Sequence, residues 1–199
     1  KWARNGDLAI GSKIFVCSWS DFFHEDADLW RSEAYSIMNA LPQYNFLIPT
    51  KRLEKVEKWL PDNVWIGASV EDQTTADERI PQLLELDTKI RWLSVEPMIA
   101  PIDFADLPSG NKDYPRIDGL SGVEFRFVNE YGICAFNEDK YYTKEHRGID
   151  WVVFGGESGP NCRECNPLWI EDGVDQCKGY AIPVFVKQLG GYPDTRSKL

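Results

Sequence analysis

The sequence has no apolar run approaching 18 residues, and no charged-then-apolar leader precedes a small-residue cleavage pattern. A membrane-spanning helix is therefore not expected, nor is a secretion signal, and a cytoplasmic location is the default expectation. Positive charge is also scarce: 22 Lys and Arg stand against 32 Asp and Glu, for a net charge of -10 and a pI near 4.7. Sequence-independent binding of nucleic acid across the whole surface needs many cations to displace counterions, so that class is disfavoured, while a local basic cleft stays open. The five cysteines are an odd number scattered among good core formers, which fits reduced thiols better than a disulfide framework. No G-x-G-x-x-G follows the first apolar segment, so the dinucleotide-binding signature of an open doubly wound sheet is missing.

What the chain does have is core. Its 199 residues are 43% hydrophobic and 13% aromatic, enough for a single domain over residues 1–199. Six short apolar segments have strand character: KIFVCS (13–18), NFLIPT (45–50), NVWIGAS (63–69), IRWLSVE (90–96), WVVFGG (151–156) and IPVFVKQ (182–188). They lack strict alternation, the habit of parallel strands covered on both faces. Between them, LWRSEAYSIMNAL (29–41), RLEKVEKWL (52–60), ADERIPQLLEL (76–86) and PLWIEDGVDQCKGY (167–180) carry helical spacing. Strand followed by helix predicts right-handed βαβ crossovers, and we expect an α/β fold in the form of a (β/α) barrel, complete or partial. The stretch 107–148 breaks the rhythm. It holds GVEFRFVNEYGICAFNEDKYY and reads as a β-hairpin insertion, expected over the site as a lid or partner surface.

In parallel α/β folds the loops leaving the carboxyl ends of strands form the ligand face, because strands deliver side chains there and helix N-termini add partial positive charge. Every such exit in this chain is polar. In order they offer Ser18, Ser20, Asp21 and His24; Thr50, Lys51 and Arg52; Ser69, Glu71, Asp72 and Gln73; Ser94, Glu96 and Pro97; Gly155, Gly156, Glu157 and Ser158; and Lys187 with Gln188. Structural roles compete with functional ones at several of these. Asp21 and His24 could cap a helix and face water, and Lys51 with Arg52 could open a charged helix. SVEDQ could cap the next helix through Ser69, with Glu71 and Asp72 in its first turn. Glu96 at the end of IRWLSVEP should be partly buried and must then find a partner, because an unpaired buried charge is costly. Glu157 within GGESGP follows two glycines that let the backbone bend sharply and approach a ligand closely. Lys187 is expected to pair with one of these carboxylates.

Cys162 and Cys165 have the C-x-x-C spacing of a metal or redox pair. Cys134 and Cys177 complete a four-sulfur zinc site only if the insertion folds back onto that loop, and no metal site is assigned. Trp2, Trp30, Trp59, Trp65, Trp92 and Trp169 are read as core packing.

In order, FVCSWSDFFHED, TKR, NVWIGASVEDQ, ADERIPQLL, SVEPMIAPID, DWVVFGGESGP and IPVFVKQLG resemble the phage gp thirty-seven/gp sixty-eight family, over most of residues 13–191 outside the insertion. The resemblance implies a (β/α) barrel similar to those of radical S-adenosylmethionine enzymes. It also implies a [4Fe-4S] cluster, held by a three-cysteine stretch expected ahead of Lys1. The residues it carries over are Ser18, Asp21, His24, Lys51, Arg52, Glu71, Asp72, Glu96, Pro97, Gly155, Gly156, Glu157, Ser158, Arg163, Lys187 and Gln188. Cys162 and Cys165 fall where the family is expected to have other residues, and the insertion departs from its usual length.

Two expectations of different class follow. In the first, the chain is a phage-associated radical-SAM-like enzyme. Asp21, His24, Glu96, Glu157 and Lys187 are then catalytic, Gly155, Gly156, Glu157, Ser158 and Glu96 hold the cofactor, and Lys51, Arg52, Glu71, Asp72, Arg163 and Gln188 hold substrate. In the second, the same barrel mouth and the insertion recognise a small molecule or macromolecular partner and do no chemistry. A third reading is retaining glycoside hydrolysis, with Glu96 and Glu157 as two carboxyl groups about 5 to 5.5 Å apart.

Overall fold

A computed structural model describes residues 8–127 and 140–190, with the side chains of all but 126–127 and 140–145. Six parallel strands form one sheet: β1 (Lys13–Phe15), β2 (Asn45–Thr50), β3 (Val64–Ser69), β4 (Arg91–Val95), β9 (Trp151–Gly155) and β10 (Val184–Gln188). Their spatial order β1-β2-β3-β4-β9-β10 follows the chain without reversal. Right-handed crossovers in one unbroken direction put every connection on the same face, so the sheet curls. Because β1 and β10 remain edges, the result is a curled half-barrel and not a closed one. Six strands are too few for the tilt and stagger that close an eight-stranded barrel.

The near-continuous apolar runs resolve into two faces with period 2. Ile48, Ile66, Leu93, Val152 and Phe154 point outward and are wholly buried in the main core beneath the helices. Leu47, Trp92 and Val153 point the other way, with Trp65 and Trp151 packed on them, in a second and smaller cluster.

Three helices cover the outer face: α1 (Asp28–Asn39), α2 (Gln73–Glu85) and α3 (Pro167–Gly179). Tyr35 and Met38, Ile80 with Leu83, and Ile170 with Cys177 supply their buried stripes. Asp72 caps α2 in a reciprocal capping box with Thr75, so the cap comes from Asp72 and not from Ser69, which ends β3. Asn166 caps α3 ahead of Pro167, which suits a first-turn position that needs no amide donor. The helix expected over 52–60 does not form. Only a 3-10 turn at Leu53–Lys55 appears, and Val56 is already extended. Leu53 is the one buried residue of that turn, and a short segment with so little apolar face to pack cannot offset the cost of nucleating a helix. Glu57 turns instead toward α1, accepting from Arg31 (3.1 Å) and Tyr35 (2.8 Å). None of the described helices is long and apolar enough to cross a membrane.

The insertion is a four-stranded antiparallel sheet: β5 (Leu107–Pro108), β6 (Arg116–Asp118), β7 (Val123–Phe127) and β8 (Lys140–Glu145). Its described part departs from the expected lid, because no described residue of 107–148 lines the cavity at the strand ends. Leu107, Ile117 and Leu120 join the main core beside Ile80 of α2, and the Tyr180 hydroxyl at the end of α3 donates to Asp118. Returning to the sheet, the Arg147 carbonyl accepts from the Arg91 guanidinium (3.1 Å), and the Asp150 carboxylate accepts from the Arg91 amide (2.8 Å). The insertion thus stands on the outer face, where a helix would otherwise connect β4 to β9. Cys134 lies outside the described residues.

Candidate functional site

A cavity of about 770 Å³ opens on the concave side of the sheet toward the carboxyl ends of its strands. Its deep part is apolar, formed by Leu47, Trp92, Trp151 and Val153, with Phe15 and Phe185 on the two edge strands. Gly67 makes this floor possible. A Cβ there would lie 2.4 Å from the Trp92 ring, so glycine lets the indole lie across β3, where its Nε1 donates to the Trp65 carbonyl at 3.2 Å. Lys13 closes the lower end with its ammonium over the rings of Trp65 (5.5 Å) and Trp151 (6.0 Å).

The upper part is charged, and the sequence-predicted residues meet there. Asp21 accepts from the Thr50 hydroxyl (2.8 Å), the amides of Lys51 and Phe23 (both 2.9 Å) and Arg52 (3.1 Å). Burial alone would raise its carboxyl, but these donors outweigh burial and hold it below the ordinary aspartate value. Lys51 reaches Glu71, whose other oxygen accepts from Arg79 at 2.9 Å. Glu96, joined to Pro97 by a cis peptide, accepts from Lys187 (2.9 and 3.2 Å) and from Gln188 (3.2 Å). Gly155 leaves room for that carboxylate, since a Cβ there would stand 3.1 Å from its carboxyl carbon. Gly156 leans on the Leu189–Gly190 backbone, with contacts of 2.7 Å to any added Cβ, and its carbonyl accepts from Gln188 at 2.9 Å. Glu157 accepts from the side chain of Arg163 (2.7 Å) and from its amide (2.9 Å), which together hold its carboxyl below the usual glutamate range.

Asp21, Thr50, Lys51, Arg52, Glu96, Pro97, Gly156, Glu157, Ser158 and Lys187 line this cavity. Glu71, Arg163 and Gln188 stand immediately behind it, each bonded to a lining residue or to its backbone. Two further predicted residues do not line it. His24 caps the short turn Glu25–Ala27, its Nδ1 accepting from the Asp26 amide (3.2 Å), and it faces a shallow recess that adjoins the cavity at Ser20, Asp21 and Arg52. Asp72 is committed to the α2 cap; the Thr75 amide and hydroxyl lower its carboxyl.

Sequence reading missed Arg79, which reaches the site from two turns into α2, and the aromatic floor. The period-2 phase placing Phe15, Trp92 and Phe185 opposite the core residues was the available signal for the floor; nothing marked Arg79. Among the described residues no three His, Cys, Asp or Glu side chains are grouped to hold a metal. Cys165 is buried beside Asn166, and Cys177 is buried in α3, where desolvation pushes its thiol up to about 12. Among the described residues neither is grouped with Cys162 in a metal-binding set.

A family model described as "Protein of unknown function (DUF5131)" matches residues 1–198. No curated protein and no solved structure matches the chain.

Proposed function

The chain belongs to the DUF5131 family of proteins of unknown function, and we propose that it is a phage-associated, radical-SAM-like enzyme that binds S-adenosylmethionine in the half-barrel mouth. The observation that carries this reading is a single cavity with an aromatic floor and a charged rim at the carboxyl ends of parallel strands. Its shape suits a ligand with a planar base, a ribose and an amino-acid end. The donor set fits as well. A carboxylate has about four acceptor sites, and the three bonds Glu96 receives from Lys187 and Gln188 leave capacity for a ligand ammonium or hydroxyl. The space beside Gly155 and Gly156 is taken by the Glu96 carboxylate and the Leu189–Gly190 backbone, so the turn holds Glu96 in place, and Ser158 adds a hydroxyl at the rim. Bound there, S-adenosylmethionine would supply a sulfonium for reductive cleavage. The described residues offer no ligand set for the [4Fe-4S] cluster that would deliver the electron.

A second reading also has an observation behind it. Asp21, Glu71, Glu96 and Glu157 are each already paired with a cation, as in a recognition surface that performs no chemistry. The same pairing disfavours glycoside hydrolysis, whose general acid needs a raised carboxyl, whereas Arg163 holds Glu157 low.

Calorimetric titration of the full chain with S-adenosylmethionine and S-adenosylhomocysteine separates these readings. The enzyme reading expects saturable binding of both, weakened about tenfold by Glu96→Gln, the loss of one charge-assisted contact. A folded chain that binds neither at millimolar concentration leaves the recognition reading.

A further inference from the structure

The exposure of the rim pairs is uneven in one consistent sense. Glu71 is 11% exposed and its partner Lys51 53%; Glu96 is 20% exposed and Lys187 54%. Asp21 and Arg52 follow the same order, as do Glu157 and Arg163. In every pair the cation is the more exposed partner, and Lys51, Arg52 and Lys187 line the mouth itself, while Arg163 stands behind Glu157. Arg79 stands behind Glu71 as a further cation. In a chain with a net charge of -10, these pairs gather five basic against four acidic side chains. Half-exposed cations over a concave, partly apolar site concentrate anions there.

Below the rim, Phe15 and Phe185 are 51% and 54% exposed although both point into the cavity, one from each open edge of the sheet. The Phe15 ring stands edge-on to Trp92 at 6.1 Å. Aromatic rings left half exposed on two sides of a cavity suit a planar, sequence-tolerant stacking partner. The main core is sealed on the other face of the sheet, so these two rings are not needed to complete it.

We infer that the substrate admitted to this mouth is a phosphorylated nucleoside, its base between the edge phenylalanines and its phosphate on Lys51, Arg52 and Lys187. The inference rests on the mouth being a ligand site, as proposed above, and not on the identity of the cofactor. A free nucleotide and the end of a nucleic-acid strand share this chemistry, and the cations come from two separate strand exits, which suits more than one phosphate.

The test is calorimetry on the full chain with the common nucleoside 5′-monophosphates, the matching nucleosides, inorganic phosphate and a single-stranded (dT)4. At least one monophosphate should bind about tenfold more tightly than both its nucleoside and inorganic phosphate. Lys51→Gln and Arg52→Gln should each remove most of that advantage and leave nucleoside binding unchanged. These variants keep their carboxylates partnered, Glu71 by Arg79 and Asp21 by the Thr50 hydroxyl and the Lys51 amide. Phe185→Ala should weaken nucleotide and nucleoside alike. Tighter binding of (dT)4, with a steeper salt dependence, assigns the phosphate to a strand, and the opposite order assigns it to a free nucleotide. Monophosphates that bind no better than nucleosides or than phosphate alone overturn the inference. S-adenosylhomocysteine binding without any nucleotide binding overturns it while leaving the cofactor reading intact, and nucleotide binding without S-adenosylhomocysteine does the reverse.

Discussion

Phe154 and Phe185 lie on neighbouring strands of one sheet, the first wholly buried and the second half exposed. Phe154 packs edge-on against Phe104 at 6.3 Å and against the backbone of Gly173, where a Cβ on α3 would come within 2.7 Å of its ring. Phe185 faces the cavity and has no helix above it. The two phenylalanines show that apolar residues on the outer face serve folding, whereas several on the inner face are held available at the site. A parallel sheet normally buries both faces. This one, left open between β1 and β10, buries one fully and leaves the other, beyond Leu47, Trp92 and Val153, lining an open cavity.

The sharpest way to break that comparison is to truncate both rings. Phe154→Ala should cost about 3–5 kcal/mol, the transfer term plus the cavity left under α3, whereas Phe185→Ala should change stability by no more than about 0.5 kcal/mol. Urea unfolding monitored by circular dichroism gives both values, and equal losses would mean that the inner face is core after all.

A smaller effect is expected at the rim. Asp21→Asn leaves the donors of Thr50, Lys51 and Arg52 poorly matched and should cost about 1–3 kcal/mol at neutral pH. The pH dependence follows from the lowered carboxyl. The folded state gives up this proton more readily than the unfolded chain, which therefore binds more protons in acid, and stability rises with pH through this range. The contribution is complete above the ordinary value of 3.8 and is lost as pH falls through the lower folded value. The stability gap between wild type and Asp21→Asn should therefore close below about pH 4, and a gap constant from pH 7 to pH 3 would refute the assignment.

The smallest effect sharpens the division between site and scaffold. Asp72 sits one residue from Glu71, yet its carboxylate belongs to the helix. Asp72→Ala should cost about 1 kcal/mol, as other N-cap removals do, and should leave nucleotide and S-adenosylhomocysteine affinities unchanged. A tenfold loss of ligand affinity with unaltered stability would return Asp72 to the site.

Much of the scaffold was legible because local chemistry marks it. NFLIPT became β2 over its whole length, and Pro167 with Asn166 marked the start of α3 at the expected place. RLEKVEKWL misled because its helical spacing is real but has too little to pack on: Leu53 alone is buried in the turn it forms. The insertion was recognised as β-rich from its Gly and Asn turns, but its position required knowing that Leu107, Ile117 and Leu120 fill the gap beside α2. At the site, Glu96, Glu157 and Lys187 were legible because they stand at or just past the ends of apolar strands, and Asp21 because it lies in the polar loop that leaves β1. Arg79 was not, because a cation on a helix ordinarily faces water.

Composition, period and strand-end polarity were enough to establish a parallel α/β scaffold with charged residues at one end, since apolar runs and turn residues act over a few positions along the chain. Which carboxylate meets which cation, which phenylalanine stays half exposed, and whether the sheet closes depend on distances between residues far apart in sequence. Those were decided only when six strands curled without β1 meeting β10 and left a cavity where a closed barrel would have had packed side chains.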